Sequence, residues 1–289
     1  MLKFLGNGSC FNTKCGNTSA YYIEEAKFKE GNVRTLTLFD CGESVFEKIV
    51  EKNIIENIDF VRIFITHTHT DHIGSLSSLI FYLNFVMKIK PAILFPNNDV
   101  KKFLDITGVS ENLYDYVILN INGQYVKDYE NGEKKYMVRL EGKKNTVEYI
   151  YDNDTNVYIP SSLDYLSYIP RVSFNVYSFE NLHAENIRSF GYVLNVDGKW
   201  IYYGSDASSV NPYIFEHIKK GSSSLINDPE ISEFYIECTC YKNNVHLNMS
   251  DFSSLLTPEE KKKITLMHFD NEDCIKDALN MGFNVAMVE

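Results

Sequence analysis

Thr66-His67-Thr68-His69-Thr70-Asp71-His72 is the stretch that decides how this 289-residue chain is read. It directly follows the apolar segment Val61 to Ile65, and His67, His69, Asp71 and His72 are all residue types that bind metal ions. On an extended chain residues two apart face the same side, so His67 and His69 can converge on one ion where the strand ends. The turn beyond it then offers Asp71 and His72 to a second ion. Imidazole mixed with carboxylate suits Zn2+, with Mn2+ or Fe as substitutes. One histidine alone is more often a core or surface residue, but four ligand types packed this closely at a strand end are hard to explain otherwise.

Two ions need more ligands than the run supplies. The chain has seven histidines, and His183, His217, His246 and His268 lie outside the run. His183 comes shortly after a strand expected at Val172 to Tyr177, and His268 follows one at Ile264 to Met267. Asp206 ends a hairpin expected over Tyr192 to Tyr203. All three sit where a strand meets a loop, as a site shared at one rim of a sandwich requires. His217 differs, because it lies in the amphipathic stretch Pro212 to Lys219 and reads as a surface histidine at a helix end.

Further strands are expected at Leu2 to Leu5, Ser19 to Ile23, Arg34 to Phe39, Pro91 to Phe95, Phe234 to Ile236 and Asn284 to Val288. Helical periodicity appears at Val45 to Lys52, Ser75 to Met87, Pro212 to Lys219, Met249 to Leu256 and Asn271 to Met281. The pattern predicts an α/β fold in one domain, 1–289: two mixed sheets packed face to face with helices outside. The region from about 100 to 171 is less regular, with turn-forming pairs at Asn122-Gly123, Asn131-Gly132 and Asn153-Asp154, and is expected to be an elaboration on that scaffold.

Composition narrows the function. A hydrophobic content of 44% supports a full-sized core, and a formal charge of -11 opposes loose attraction to nucleic acid. The first residues lack the apolar length of a signal peptide, and no apolar run approaches the roughly 20 residues of a membrane span. A cytoplasmic protein with no membrane partner is expected. On that basis the six cysteines are expected to be reduced thiols rather than a disulfide framework. Lys261-Lys262-Lys263 reads as a solvated turn.

These residues resemble a known family. The histidine run is similar to the signature of metallo-β-lactamase-fold hydrolases, and within them the chain resembles the ribonuclease Z branch. Phe4-Leu5-Gly6-Asn7-Gly8-Ser9 resembles that branch's opening strand and turn, and Leu38-Phe39-Asp40-Cys41-Gly42-Glu43 its second glycine turn. His183 followed by Ser189-Phe190-Gly191-Tyr192, and then Asp206, resembles its later motifs. The resemblance implies an αββα sandwich in which His67, His69 and His183 hold one metal, Asp71, His72 and His268 hold the other, and Asp206 bridges both. Ile236-Glu237-Cys238-Thr239 and His246-Leu247-Asn248 are similar to paired loop motifs that supply a glutamate and a histidine for proton transfer. Read alone, Glu237 is a solvated strand-end carboxylate and His246 an exposed loop histidine.

The stretch 184–205 is too short for the protruding arm with which transfer-RNA processing members hold RNA, and His268-Phe269-Asp270-Asn271-Glu272 lacks the branch's usual serine, arginine and tyrosine. Members without the arm include phosphodiesterases that cleave cyclic nucleotides, among them phage enzymes that remove cyclic-nucleotide alarm signals. The resemblance therefore implies a dinuclear-metal phosphodiesterase acting on a small phosphodiester such as a cyclic nucleotide, with two Zn2+, a homodimeric state, Asp71 holding the proton of a metal-activated water, and His246, oriented by Glu237, protonating the leaving oxygen. The competing expectations are an RNA 3′-end endonuclease and a non-catalytic metal-binding module. Aromatic residues at Tyr158, Tyr165, Tyr168 and Phe174 are candidate faces for a base.

Overall fold

A computed structural model describes residues 2–28, 31–130, 133–139, 149–152, 157–160, 176–221 and 229–288. The first half of the chain builds a mixed sheet in the spatial order β1 (Lys3–Gly6), β2 (Ser19–Phe28), β3 (Gly31–Phe39), β4 (Phe60–Phe64), β5 (Ala92–Phe95) and β6 (Asp115–Ile118). β1, β2 and β3 run antiparallel, and β3 to β6 run parallel. The parallel crossovers are helical: α1 (Val45–Glu51), α2 (Thr70–Ile73) with α3 (Leu76–Tyr82), and α4 (Asp99–Ile106). α3 ends in a wide turn of helix at Leu83–Met87, closed by Lys88 in the left-handed conformation.

The chain then gives β7 (Ile121–Glu130), β8 (Glu133–Arg139), a separate pair β9 (Tyr149–Asp152) and β10 (Val157–Pro160), then β11 (Val176–Asn181), β12 (Ser189–Val196) and β13 (Lys199–Tyr203). α5 (Pro212–Lys220), β14 (Ile231–Glu237), α6 (Met249–Ser254), α7 (Pro258–Lys261), β15 (Ile264–Met267), α8 (Glu272–Asn280) and β16 (Asn284–Val285) follow. The second sheet has the order β16-β15-β14-β13-β12-β11-β7-β8 and is also mixed. This is the expected sandwich of two mixed sheets flanked by helices.

Alternation along the strands explains the layering. Leu36 and Leu38 share one face of β3, while Thr35, Thr37 and Phe39 share the other. Phe39 stacks on Phe64 of β4 at 5.3 Å and reaches across to Tyr203 of β13 at 4.5 Å. Phe64 in turn meets Tyr192 of β12 at 5.2 Å. This aromatic layer belongs to a core that also takes in Val45, Leu79 and Leu104 from α1, α3 and α4. A second core packs the other face of the second sheet, through Phe234 and Ile264, against Ile214 of α5, Phe252 of α6 and Cys274 of α8.

Several expectations need correction. β11 is displaced from the strand expected at Val172 to Tyr177, of which 172–175 lies outside the described residues. Its most buried positions, Ser178, Phe179 and Asn181, are mostly polar and satisfied locally, Asn181 by the Tyr202 hydroxyl at 3.3 Å. Asn122-Gly123, expected as a turn, lies inside β7 where its register against β11 shifts. Asn131-Gly132 and Asn153-Asp154 lie outside the described residues, as do Tyr165, Tyr168 and Phe174, and nothing is described of the Tyr158 side chain. Of the region from about 100 onward, α4 and β6 are parts of the first layer, and β7 and β8 extend the second sheet. Cys240 and Cys274 are joined as a disulfide with Cα atoms 5.8 Å apart, against the expectation of reduced thiols, while Cys10, Cys15, Cys41 and Cys238 are free. His217 is buried under the Tyr213 ring at 4.6 Å rather than exposed, because it faces inward beside Ile214 and Ile218. No helix among the described residues is long and apolar enough to cross a membrane.

Candidate metal centre

Thr66, directly after β4, fixes where the strand stops and the site begins. Its N–H and hydroxyl donate to the two carboxylate oxygens of Asp40 at 2.7 and 2.8 Å. Its carbonyl accepts from the Phe190 N–H of the opposite sheet at 2.9 Å, and the Tyr192 hydroxyl donates to the Ile65 carbonyl at 2.6 Å. Both sheets are thus pinned at the start of the histidine run. His67 and His69 continue in extended chain, and the single turn of α2 then presents Asp71 and His72. Gly42 lies so close to α2 that a β-carbon there would collide with the Asp71 carbonyl.

The structure gathers the seven expected ligands at one rim. His67, His69, His183 and Asp206 form one group, and Asp71, His72, Asp206 and His268 form a second, with the candidate ligand atoms in each group within 4.8 Å of one another. In the first group His67 Nε2 is 2.9 Å from His69 Nδ1, which is 3.2 Å from His183 Nε2. His183 Nδ1 donates to the Val245 carbonyl at 2.8 Å, which leaves Nε2 as its free lone pair. In the second group His268 Nε2 lies 3.2 Å from Asp71 Oδ2 and 3.3 Å from Asp206 Oδ2, and His72 Nε2 lies 3.4 Å from Asp206 Oδ1.

Charge follows from burial and neighbours. Burial, reinforced by neighbouring imidazoles, keeps His67, His69 and His183 below the usual histidine range, so they are neutral lone-pair donors. Burial opposes charge on His72 as well, but Asp206 and Asp40 lift it well above that range, and Asp206 with Asp71 lifts His268 in the same way. Despite desolvation, the facing imidazoles hold the Asp71 and Asp206 carboxyls below theirs. The second group therefore demands positive charge beside its carboxylates, which protonated imidazoles or a cation can supply.

The fit to a metal rests on atoms the protein leaves unsatisfied. His72 Nε2 and both Asp206 carboxylate oxygens are buried without a hydrogen-bond partner, and all three aim into the cluster. Neutral imidazoles and ionised carboxylates are the donor set of Zn2+, Mn2+ or Fe.

Glu237 and His246 come together beside this cluster. Glu237 is 1% exposed, not solvated, and its Oε1 accepts from the Ala207 N–H at 2.7 Å and the Leu247 N–H at 3.3 Å. Its Oε2 faces His246 Nδ1 at 3.4 Å. The His246 ring stacks on His268 at 5.3 Å and meets His183 edge-on at 5.2 Å, so it lies against both ligand groups. Burial disfavours the charged ring, but the Glu237 carboxylate outweighs it and His246 is pushed up to about 9.

One positioning residue was missed in the sequence. Asp40 lies 2.8 Å from His72 Nδ1 and is buried in the left-handed backbone region, with φ of 61°. An aspartate ending an apolar strand just before a glycine is the signal that marks it, since a metal-bound histidine needs a carboxylate or carbonyl behind it. His268 also has a positive φ, 65°, a strain of the kind that collects at functional sites.

A family model described as Anti-Pycsar protein Apyc1 matches residues 1–107. Over 103 residues the chain is 39% identical to Anti-Pycsar protein Apyc1 of Bacillus phage BSP38, covering 35% of this chain and 36% of that one. It is 30% identical to ribonuclease Z of Oceanobacillus iheyensis, covering 37% and 33%. These matches span about a third of each relative's length. A longer match, 24% identical, to Anti-Pycsar protein Apyc1 of Bacillus phage 010DV004 covers 98% of this chain and 94% of the other. Among solved structures, human tRNase Z, short form, is similar with a TM-score of 0.54 at 19% identity, covering 100% and 96%. The metallo-beta-lactamase fold protein YhfI from Bacillus subtilis is similar with a TM-score of 0.57 at 14% identity, covering 99% and 95%. The chain therefore has the metallo-β-lactamase fold, with sequence relatives among the ribonuclease Z and Apyc1 proteins.

Proposed function

We propose that this protein is a hydrolase that uses two divalent metal ions to cleave a small phosphodiester, with a cyclic nucleotide as the leading substrate. The observation that carries the reading is Asp206, a buried carboxylate whose two oxygens lie between the two ligand groups with no hydrogen-bond partner. His67, His69 and His183 would hold one ion, Asp71, His72 and His268 the other, with Asp206 shared. Bound there, the ions would supply Lewis acidity and lower the pKa of a water toward neutrality.

The chain's own residues supply the rest. Glu237 Oε2 keeps a proton on His246 Nδ1, and the protonated imidazole donates to the oxygen that leaves phosphorus. Glu237 Oε1 meanwhile ties the backbone of Ala207, beside Asp206, to that of Leu247, beside His246, so one carboxylate sets both positions. Asp71 holds the proton of the attacking water.

The preference for a small substrate is supported by the connection between His183 and Asp206. It is a β12–β13 hairpin closed by Asp197 and Gly198, both with positive φ, and it has no room for an arm. The matches to phage Apyc1 proteins point the same way. The matches to ribonuclease Z favour RNA as the second reading. A cytoplasmic homodimer belongs to the same proposal and is carried by the resemblance alone. Metal-loaded protein should be offered cyclic nucleotides, bis(p-nitrophenyl) phosphate and precursor transfer RNA. Turnover of the first two supports the proposal, cleavage of the RNA alone overturns the substrate class, and two bound metals with no hydrolysis leave a binding module.

A further inference from the structure

The loop between β1 and β2 carries Phe11, whose side chain is 93% exposed. The loop is firmly braced. The Ser9 N–H donates to the Phe269 carbonyl at 3.0 Å, the Asn12 N–H to the Ser9 carbonyl at 3.0 Å, and Asn12 Nδ2 adds a bond to Phe269 at 2.9 Å. Lys48 Nζ holds the end of β1 through the Leu5 carbonyl at 2.8 Å. Phe11 is thus displayed by a fixed backbone.

The same bonds place it beside the metal centre. Phe269 directly follows His268. On the other flank Asn17, at the far end of the same loop, and the Asp71 carbonyl crowd the same side of Gly42. The loop that displays Phe11 therefore borders the segments that carry His268 and Asp71.

We propose that Phe11 is a stacking platform for the base of a nucleotide substrate, an inference that rests on the phosphodiesterase reading. A phenyl face stacks on any base and gives little choice among them, so the platform binds nucleotides as a class while the phosphate is fixed at the metals.

Phe11→Ala and Phe11→Trp test this in metal-loaded protein, with Phe85→Ala as a control. Phe85 is also exposed but stacks on Phe81 in the helical layer. Each variant is assayed with a cyclic nucleotide and with the same cyclic ribose phosphate lacking a base. Phe11→Ala should raise KM for the nucleotide about 5- to 100-fold, the range for loss of one base–aromatic stack. Metal content, kcat and the KM for the base-free compound should hold, and Phe11→Trp should restore the nucleotide KM. An equal change with both compounds, or no change with either, overturns the platform. If wild-type protein cleaves no cyclic nucleotide, binding of a phosphorothioate analogue decides. Binding lost in Phe11→Ala keeps the platform while the phosphodiesterase reading fails, and binding that is absent or equal in both proteins overturns the platform.

Discussion

The two ligand groups that meet at Asp206 are built differently. His67, His69 and His183 bring three neutral imidazoles, and His69 and His183 are only partly buried. Asp71, His72 and His268 are all buried and add a second carboxylate to the shared one. His72 is backed by Asp40, and His268 sits on strained backbone. The contrast separates an open, neutral pocket from a closed, acidic one. On the proposed reading, an ion in the closed pocket would be held by more charge and reached by less water, so it should leave more slowly, and the open pocket would be the face a substrate meets.

Asp206→Ala should erase the distinction. Both pockets lose their common ligand, and we expect metal content to fall from about two equivalents toward zero and kcat/KM to drop by more than about 1000-fold, checked by elemental analysis and steady-state kinetics. Retention of both ions would show that the pockets are independent. His246→Ala leaves both pockets intact and should lower kcat by about 100- to 10,000-fold, the scale of one general acid, with metal content unchanged. His67→Ala should remove metal, and equal metal loss in these two variants would contradict the separate roles.

Asp40→Asn should sharpen the comparison by loosening the closed pocket alone. Loss of the carboxylate behind His72 is expected to weaken one metal site about 10- to 100-fold, as for other residues that orient a ligand, and competition titration should show the other site unmoved. The smallest effect is on pH. The Glu237 carboxylate raises the folded-state pKa of His246, so Glu237→Gln should lower it from about 9 and move the basic limb of the kcat profile to lower pH. An unmoved limb would take the proton away from His246.

How much of this was readable in the sequence depended on whether one residue or a neighbourhood carried the signal. β3 announces itself by alternation, β4 by its apolar run, and the ligands by their type at strand ends. α4 was missed because only Val100 and Leu104 bury among charged neighbours in a stretch read as irregular. β11 was misplaced because its buried face is made of Ser178 and Asn181, which hydropathy reads as surface. Asp40 and the Cys240–Cys274 bond each depend on a partner far along the chain, whereas His217 is buried because its face of the helix, with Ile214 and Ile218, turns into the core. Glu237 and His246 were found only through the resemblance, since neither type nor spacing shows that a strand-end carboxylate is buried beneath a loop histidine.

The most direct test is staged metal removal. Purified protein should carry about two transition-metal equivalents, and dialysis against a chelator should release one quickly and the other slowly, with hydrolysis lost in step and restored by adding metal back. Protein that carries no metal, and whose activity and thermal stability ignore the chelator, would contradict the account at its root.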